Sequence, residues 1–526
     1  MSVSTLRKRR VGVLVVSALM IGTAMADQAS EADALHVLNR LSYGPAPGDL
    51  AHVRQIGVEG YIDEQLHPDR LALPPLLTQQ LDALGTMRLS QRDLVTQFRE
   101  ASQARKNHDE EGNAMRRELV QRATLEAGEA RLLSAIESPR QLQEVMVDFW
   151  FNHFNVYIGK GLDRVLVENY EREAIRPYAM GRFRDLLRAT AHHSAMLFYL
   201  DNWLSTAPDY QPARGAGPLA KSRGLNENYA RELMELHTLG VDGGYTQKDV
   251  TELARMLTGW TLNPRAHGGD SAFYFDARRH DNGDKEWLGH HVGGRGQAEG
   301  EWALDILASH PSTAHHISFE LAQYFVADVP PPALVERLSK RFMDSGGDIG
   351  SVLKMLFASA EFRDPEIRDA KFKTPYQYLA SSVRASNLPV SNVRPLLATL
   401  YGLGMPLYGC PTPDGYKNTE EAWLNPDAIT RRIDFATAFA AGKLPFARPM
   451  NAVDNGGVGL RAMQRAANKG ADATFTPAST TRPVDADALL STLGDSISVK
   501  TRATVAQSDP ALRAALVLGS PDFMHH

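Results

Sequence analysis

The chain has 526 residues, 43% hydrophobic and 23% charged, with a formal net charge of −5, 41 glycines, 29 prolines and one cysteine. That much apolar material can build large packed cores, which excludes a fibrous, collagen-like or wholly disordered protein. A lone cysteine, Cys410, excludes an internal disulfide framework, and the acidic balance argues against nucleic acid as a partner, because such binding draws its affinity from basic contacts to phosphate.

The amino terminus reads as an export signal. Arg7, Lys8, Arg9 and Arg10 precede an apolar run from Val11 to about Gly22, and the small-x-small sequence Ala24-Met25-Ala26 follows. The run is shorter than the roughly 20 residues that a membrane span requires. Residues 1–26 are therefore expected to be a signal peptide, and the mature chain to be periplasmic or secreted with no transmembrane segment after cleavage. The pair Arg9-Arg10 leaves both the Sec and the twin-arginine route open.

Beyond the signal the apolar spacing is helical almost throughout. From Glu31 to His67 a break falls at Ser42 to Gly48, where Pro and Gly force a turn, and Asp49 is expected to cap the next helix. Residues from about Ser90 to Phe151 predict a charged helical hairpin interrupted by Lys106 to Gly112. A further helical block covers Leu166 to Leu200, and a Pro- and Gly-rich loop covers Ser205 to Gly224. Helices are expected again over Asn226 to Leu239 and Thr246 to Trp260, the second starting on a Thr246-x-x-Asp249 cap. The pattern changes at residues 270–294, where Phe273-Tyr274-Phe275 and Trp287-Leu288-Gly289 flank Asp281-Asn282-Gly283-Asp284 and predict a small β-hairpin or extended excursion. Helical spacing then runs from Glu301 to about Gly442. The fold class is mainly α: a main helical domain over 27–442, a loop or linker region over 443–485, and a C-terminal helical segment over 486–526 packing on the main domain.

Chemistry concentrates in Asn226 to His237. At about 100° per residue, Glu227, Asn228, Arg231, Glu232 and Glu235 share one arc, and Tyr229, Ala230, Leu233, Met234 and Leu236 share the other. Such a face is either a solvated stripe of i,i+4 ion pairs or one wall of a site. His237 falls in the apolar arc, as a core or helix-end histidine would. Asn152 and His153 lie among four aromatics, where their polar atoms would need partners. Asp201-Asn202 end a helix beside the Gly/Pro-rich loop. His192-His193 and His315-His316 are adjacent pairs whose members cannot both face one centre on a helix. His280 to Lys285 reads as turn chemistry or as a polar cover over a site. No phosphate loop, His-Glu-x-x-His, nucleophile elbow, dinucleotide fingerprint or haem-attachment cysteine pair occurs, and no base is evident that would activate Cys410.

Taken together, these segments resemble the bacterial family catalogued as domain of unknown function 1800. The resemblance rests on His36 to Arg40 with Tyr43-Gly44-Pro45, on Phe149 to Phe154, Ile175-Arg176-Pro177, Met196 to Asn202, Asn226 to Gly240, Gly244 to Gln247, and Leu257 to Trp260. The His280/Lys285/Gly289 excursion, Lys373-Thr374-Pro375 and the Gly404 to Trp423 loop extend it toward the C-terminus. One departure is Phe151, which stands where the family pattern has a polar residue or histidine. The resemblance implies an exported, mainly helical bacterial protein without an established reaction. Its association with an exported sulfatase- or phosphatase-like family implies envelope or polysaccharide metabolism.

Two readings follow. In the first the chain is a hydrolase acting on envelope or extracellular polysaccharide, with Glu232, Glu235, Arg231 and His153 as catalytic residues. Either glutamate would be general base or metal ligand, Arg231 would hold an anionic group, and His153 would orient or shuttle a proton. Asp201, Asn202, Asn228, His280 and Lys285 would then bind substrate, with the His280 to Lys285 excursion closing over it. In the second the same polar groups fix helix packing in a non-catalytic periplasmic partner or scaffold for a sulfatase- or phosphatase-like protein. The sequence names neither a cofactor nor a metal.

Overall fold

The computed structural model describes residues 30–106, 110–212, 224–263, 270–446 and 482–526. The expected signal peptide, most of the expected linker over 443–485 and the middle of the Ser205 to Gly224 loop lie outside these residues.

Ser30 caps the first helix, Glu31–Leu41, by accepting from the Asp33 amide. The next helix, Asp49–Ile56, starts one residue earlier than the sequence suggests. Gly48 is its cap, and the Asp49 carboxylate turns back to the Ala46 amide (2.8 Å) and to Arg384 (2.9 Å). The charged hairpin forms from Gln91–Lys106 and Glu110–Glu137, which pack along each other. Gln141–His153 follows and is buried on nearly every side, from Leu142 to Phe151. Its aromatic side chains meet Asp163–Tyr170 at Tyr170 and Phe183–His192 at Phe183, and Ser194–Tyr199 packs on both of those helices. Pro311–Phe325 lies against Pro332–Ser345, and Pro426–Ala440 against Pro510–Leu518. One contiguous apolar core runs through all of these, from Ala34 to Met524.

The C-terminal segment joins that core directly. The Tyr378 hydroxyl donates to the Leu518 carbonyl at 2.9 Å, and the Lys373 amide donates to Met524 at 2.9 Å. Two short echoes in the sequence, Ser359 to Phe362 and Ser520 to Phe523, are the same device used twice. In each the serine oxygen accepts from the amide three residues on and starts a single helical turn.

The change of pattern near residue 270 corresponds to two small antiparallel sheets. β1 (Trp260–Leu262) pairs with β2 (Phe273–Phe275), and β3 (Lys285–Trp287) pairs with β4 (His290–Val292). The Thr246 cap is present in full: its hydroxyl accepts from the Asp249 amide, and the Asp249 carboxylate accepts from the Thr246 amide at 2.8 Å.

Charge is also buried at the centre. Arg131, 2% exposed, donates to Glu171 and to Asp148 (2.6 Å), and Arg176 donates to Glu144 (2.6 Å) and Glu171 (2.9 Å). Burial pushes the Glu171 carboxyl up, but Arg131 and Arg176 together hold it below the ordinary range. Phe151 packs on this cluster, against Tyr170, Tyr408 and the Arg131 guanidinium, which accounts for an apolar residue there.

Candidate metal centre

The helix that carries the sequence's densest polar face is shorter than its pattern suggests. It spans Asn228–Glu235, with Tyr229, Ala230, Leu233 and Met234 buried as the periodicity requires. Past Glu235 the chain tightens. The Leu239 amide reaches back to Met234 (2.8 Å), the Thr238 hydroxyl reaches back to Leu233 (2.6 Å), and Gly240 turns at φ +81°. A Cβ on Gly240 would lie 3.2 Å from His316 Nδ1, so this turn needs a glycine for both its backbone angle and the close approach.

The turn leaves the carbonyls of Leu236 and His237 unused by the helix, at its negative end. Two imidazoles take them. His153 Nε2 lies 3.2 Å from the His237 carbonyl, and His316 Nε2 lies 3.0 Å from the Leu236 carbonyl. His153 stands at the last helical position of Gln141–His153. His316 and Glu320, four residues apart, share a face of Pro311–Phe325. Glu320 completes the group: Oε2 is 2.7 Å from His153 Nδ1, and Oε1 is 3.5 Å from His316 Nε2.

The tautomer of His153 follows from its neighbours. A carbonyl only accepts, so Nε2 carries a proton. Nδ1 faces a carboxylate, another acceptor, and a cation must stand between them. At 2.7 Å that cation is a proton shared between the imidazole and the carboxylate. A metal ion can replace the proton if the pair opens to bonds of about 2.0–2.2 Å on each side. The donor atoms of His153, His316 and Glu320 all lie within 4.8 Å of one another, and among the described residues this is the one group of three such side chains so placed. The His153 Nε2–H held by a backbone carbonyl is the outer contact that orients a metal-bound histidine.

The group opens on a cleft of about 240 Å3. Glu235 lines it from the short helix, and Asp148 and Asn152 line it from the helix of His153. The opposite wall is the loop bearing Asp414, Tyr416 and Lys417. Asn152 clamps that loop: its amide donates to the Tyr416 carbonyl (2.8 Å), and its oxygen accepts from the Tyr416 amide (2.7 Å). Gly415 makes the contact possible, because a Cβ there would fall 2.3 Å from the Asn152 carbonyl.

Electrostatics follow the geometry. Burial pushes Glu320 up, but His153, His316 and Lys417 outweigh it and hold the carboxyl below the ordinary range. Burial pushes Glu232 up, and neighbouring Glu235 and Asp414 add to the rise. Burial, then His153 and His316, hold His237 well below the imidazole range, and its Nε2 has no protein partner.

Of the residues singled out by sequence, His153 and Glu235 meet at the cleft, with Glu232 half-buried one turn behind. The others lie elsewhere. Arg231 turns outward to Glu227 and Gln247. Asn228 donates to the Leu200 carbonyl (3.3 Å), and Asp201 pairs with Lys160 at 2.9 Å. Asn202 is 1% exposed and donates to the carbonyls of Leu257 and Trp260, which ties a helix end to β1. The His280 to Lys285 excursion does not close over the cleft. His280 and Lys285 are fully buried on Glu299 (3.3 and 2.7 Å), and the Lys285 ammonium also donates to the carbonyls of Asp281 and Gly283. In the sequence the adjacent pair His315-His316 masks the partnership of His316 with Glu320. The signal that finds it is a histidine and a carboxylate at i,i+4 on an amphipathic helix.

These features define a mainly helical protein with an open cleft headed by a two-histidine, one-glutamate donor set. The chain belongs to the family described as Protein of unknown function (DUF1800), whose model matches residues 36–525. No curated protein and no solved structure matches it. Among the described residues, no helix is long and apolar enough to cross a membrane.

Proposed function

We propose that the chain is an exported, metal-dependent hydrolase acting in this cleft on envelope or extracellular polysaccharide. The observation that carries the reading is the convergence of His153, His316 and Glu320 at the head of an open cleft. Two histidines and a glutamate would be a catalytic rather than a structural donor set for a zinc-class ion, with His153 binding through Nδ1 and His316 through Nε2 once it gives up the Leu236 carbonyl. Such an ion lowers the pKa of a coordinated water to about 7 and polarises an oxygen of the substrate. Glu235, on the cleft wall, would take the proton of the attacking water, and Asn152 holds the facing loop in place through Tyr416. Export rests on the charged, apolar and small-x-small order of residues 1–26.

The test is elemental analysis of purified protein after zinc loading and dialysis, paired with product release from a glycan panel. The wild type should retain stoichiometric metal and hydrolyse a glycan, and Glu320→Gln should lose both while remaining folded. A wild type that holds no metal and releases no product overturns the reading in favour of a non-catalytic partner of a sulfatase- or phosphatase-like protein.

A further inference from the structure

The charge of the cleft restricts what it can accept, and this rests on the proposed metal-dependent reading of the same site. Its cations are few and already used. Among the described residues Lys417 is the one lysine or arginine that lines it, and Lys417 is held by Asp414 at 2.9 Å. The nearest guanidinium behind the wall, Arg131, is divided between Asp148 and Glu171. Arg231, the natural candidate for holding an anionic group, turns away to Glu227 and Gln247. Both cleft histidines spend one ring nitrogen on a backbone carbonyl.

Acids remain in surplus. Glu235 and Glu320 face the cavity, and Glu232 stands close enough to feel Glu235 and Asp414. The charge of a divalent ion at His153, His316 and Glu320 would be offset by Glu320 and Glu235, and beyond the ion no unpaired guanidinium or ammonium among the described residues lines the cleft for a phosphate, sulfate or carboxylate away from the reacting bond. Sites that recognise such groups supply free guanidinium or ammonium donors. The rest of the lining is made of hydrogen-bonding and aromatic groups, Asn152, Gln323, Thr374 and Tyr416 among them. The volume, about 240 Å3, is below the roughly 300–1,000 Å3 of pockets for drug-sized ligands and suits one ring-sized unit at a time.

We infer that the cleft selects a neutral or amine-bearing polar unit, of the hexosamine class, and rejects anionic, sulfated or phosphorylated ones. An amine on the ligand meets Glu235, and a neutral hydroxylated ring meets the amide, hydroxyl and aromatic groups of the walls. The chain therefore acts on a glycan that carries no ester anion at the bound unit, or on one from which another activity has already removed it.

Calorimetric titration of the full zinc-loaded chain with three probes tests this: glucosamine oligomers, N-acetylglucosamine oligomers and sulfated heparin disaccharides. The first two should bind at least tenfold more tightly than the third, and the glucosamine preference should shrink as salt rises. Glu235→Gln should weaken the glucosamine oligomer several-fold more than the N-acetylated one. Equal or tighter binding of the sulfated probe, or binding of none of the three, overturns the inference. Metal content measured on the same samples reports separately on the metal-dependent reading, so the two can fail independently.

Discussion

Of the places where this protein holds a histidine against a glutamate, the interior cluster at Glu299 and the cleft cluster at Glu320 differ most in what supplies the remaining positive charge. In the interior, His280 and Lys285 close on Glu299, with all three side chains fully buried and the ammonium 2.7 Å from the carboxylate. At the cleft, His153 and His316 close on Glu320, and no lysine is inserted; the one nearby, Lys417, is committed to Asp414. In the first region the ammonium takes the carboxylate oxygen that the histidine does not face, so the glutamate is fully neutralised from within the chain. The same pair of residue types is thus a sealed structural cluster in one place and an open donor set in the other, and a neighbouring lysine decides which.

Removing that lysine is the strongest way to break the contrast. Lys285→Met leaves Glu299 as a buried charge without its ammonium, and urea denaturation should show a loss of about 3–5 kcal/mol. Metal retention should be unchanged. Glu320→Gln should have the opposite profile. Loss of a ligand should cost at least about 100-fold in zinc affinity, since outer-shell changes alone cost 10–100-fold, while stability without metal should fall by about 1–3 kcal/mol, less than at Lys285, because the partly exposed glutamine still accepts from His153. If Glu320→Gln unfolds the chain and zinc affinity survives in whatever remains folded, the two regions are alike after all.

Acid separates them in a third way. Burial, then Arg172, takes His193 down to about 3, and burial, then Arg40, takes His36 down to about 4. Between about pH 6.5 and 4 the unfolded chain takes up protons there that the folded chain does not. Stability is therefore fully present above that window, and each of the two histidines removes about 1.4 kcal/mol for every pH unit the solution falls through it. Wild type and Glu320→Gln, both metal-free, should lose stability in parallel down to about pH 4.5, because that sensitivity belongs to His36 and His193, which lie outside both clusters; below it the wild type alone also loses what its lowered Glu320 carboxyl contributes. The smallest effect is expected at Arg231→Lys. Its i,i+4 pair with Glu227 is half-exposed, so stability should move by less than about 0.5 kcal/mol and hydrolysis should be unaffected. A large loss of activity would return Arg231 to the site.

Much of the fold is legible in the sequence because it is local. The apolar arc of Tyr229, Ala230, Leu233 and Met234, the Thr246 cap and the change from period 3.6 to short strands near residue 270 each depend on residues within one or two turns of each other. Helix ends are less legible. Asp49 has the chemistry of a cap, but the distant Arg384 recruits its carboxylate, and the turn after Glu235 depends on His316 approaching Gly240. Of the site, His153 and Glu235 are visible as polar groups in suggestive surroundings. Asn202 and Lys285 look the same in sequence and are structural, because their partners are carbonyls and a carboxylate that the sequence does not place beside them.

Composition and periodicity along single elements were enough to settle the helical class, the buried faces and the absence of a disulfide framework, and the motifs along the chain were enough to point to the family, since none of these depends on how distant segments meet. Which polar groups come together was decided only by packing. His153, the Leu236 and His237 carbonyls, and His316 with Glu320 come from three separate stretches of chain, and the tertiary structure brings them within hydrogen-bond distance. The same packing seals His280 and Lys285 away, because a buried carboxylate is tolerated only where the surrounding fold delivers a counter-charge to it.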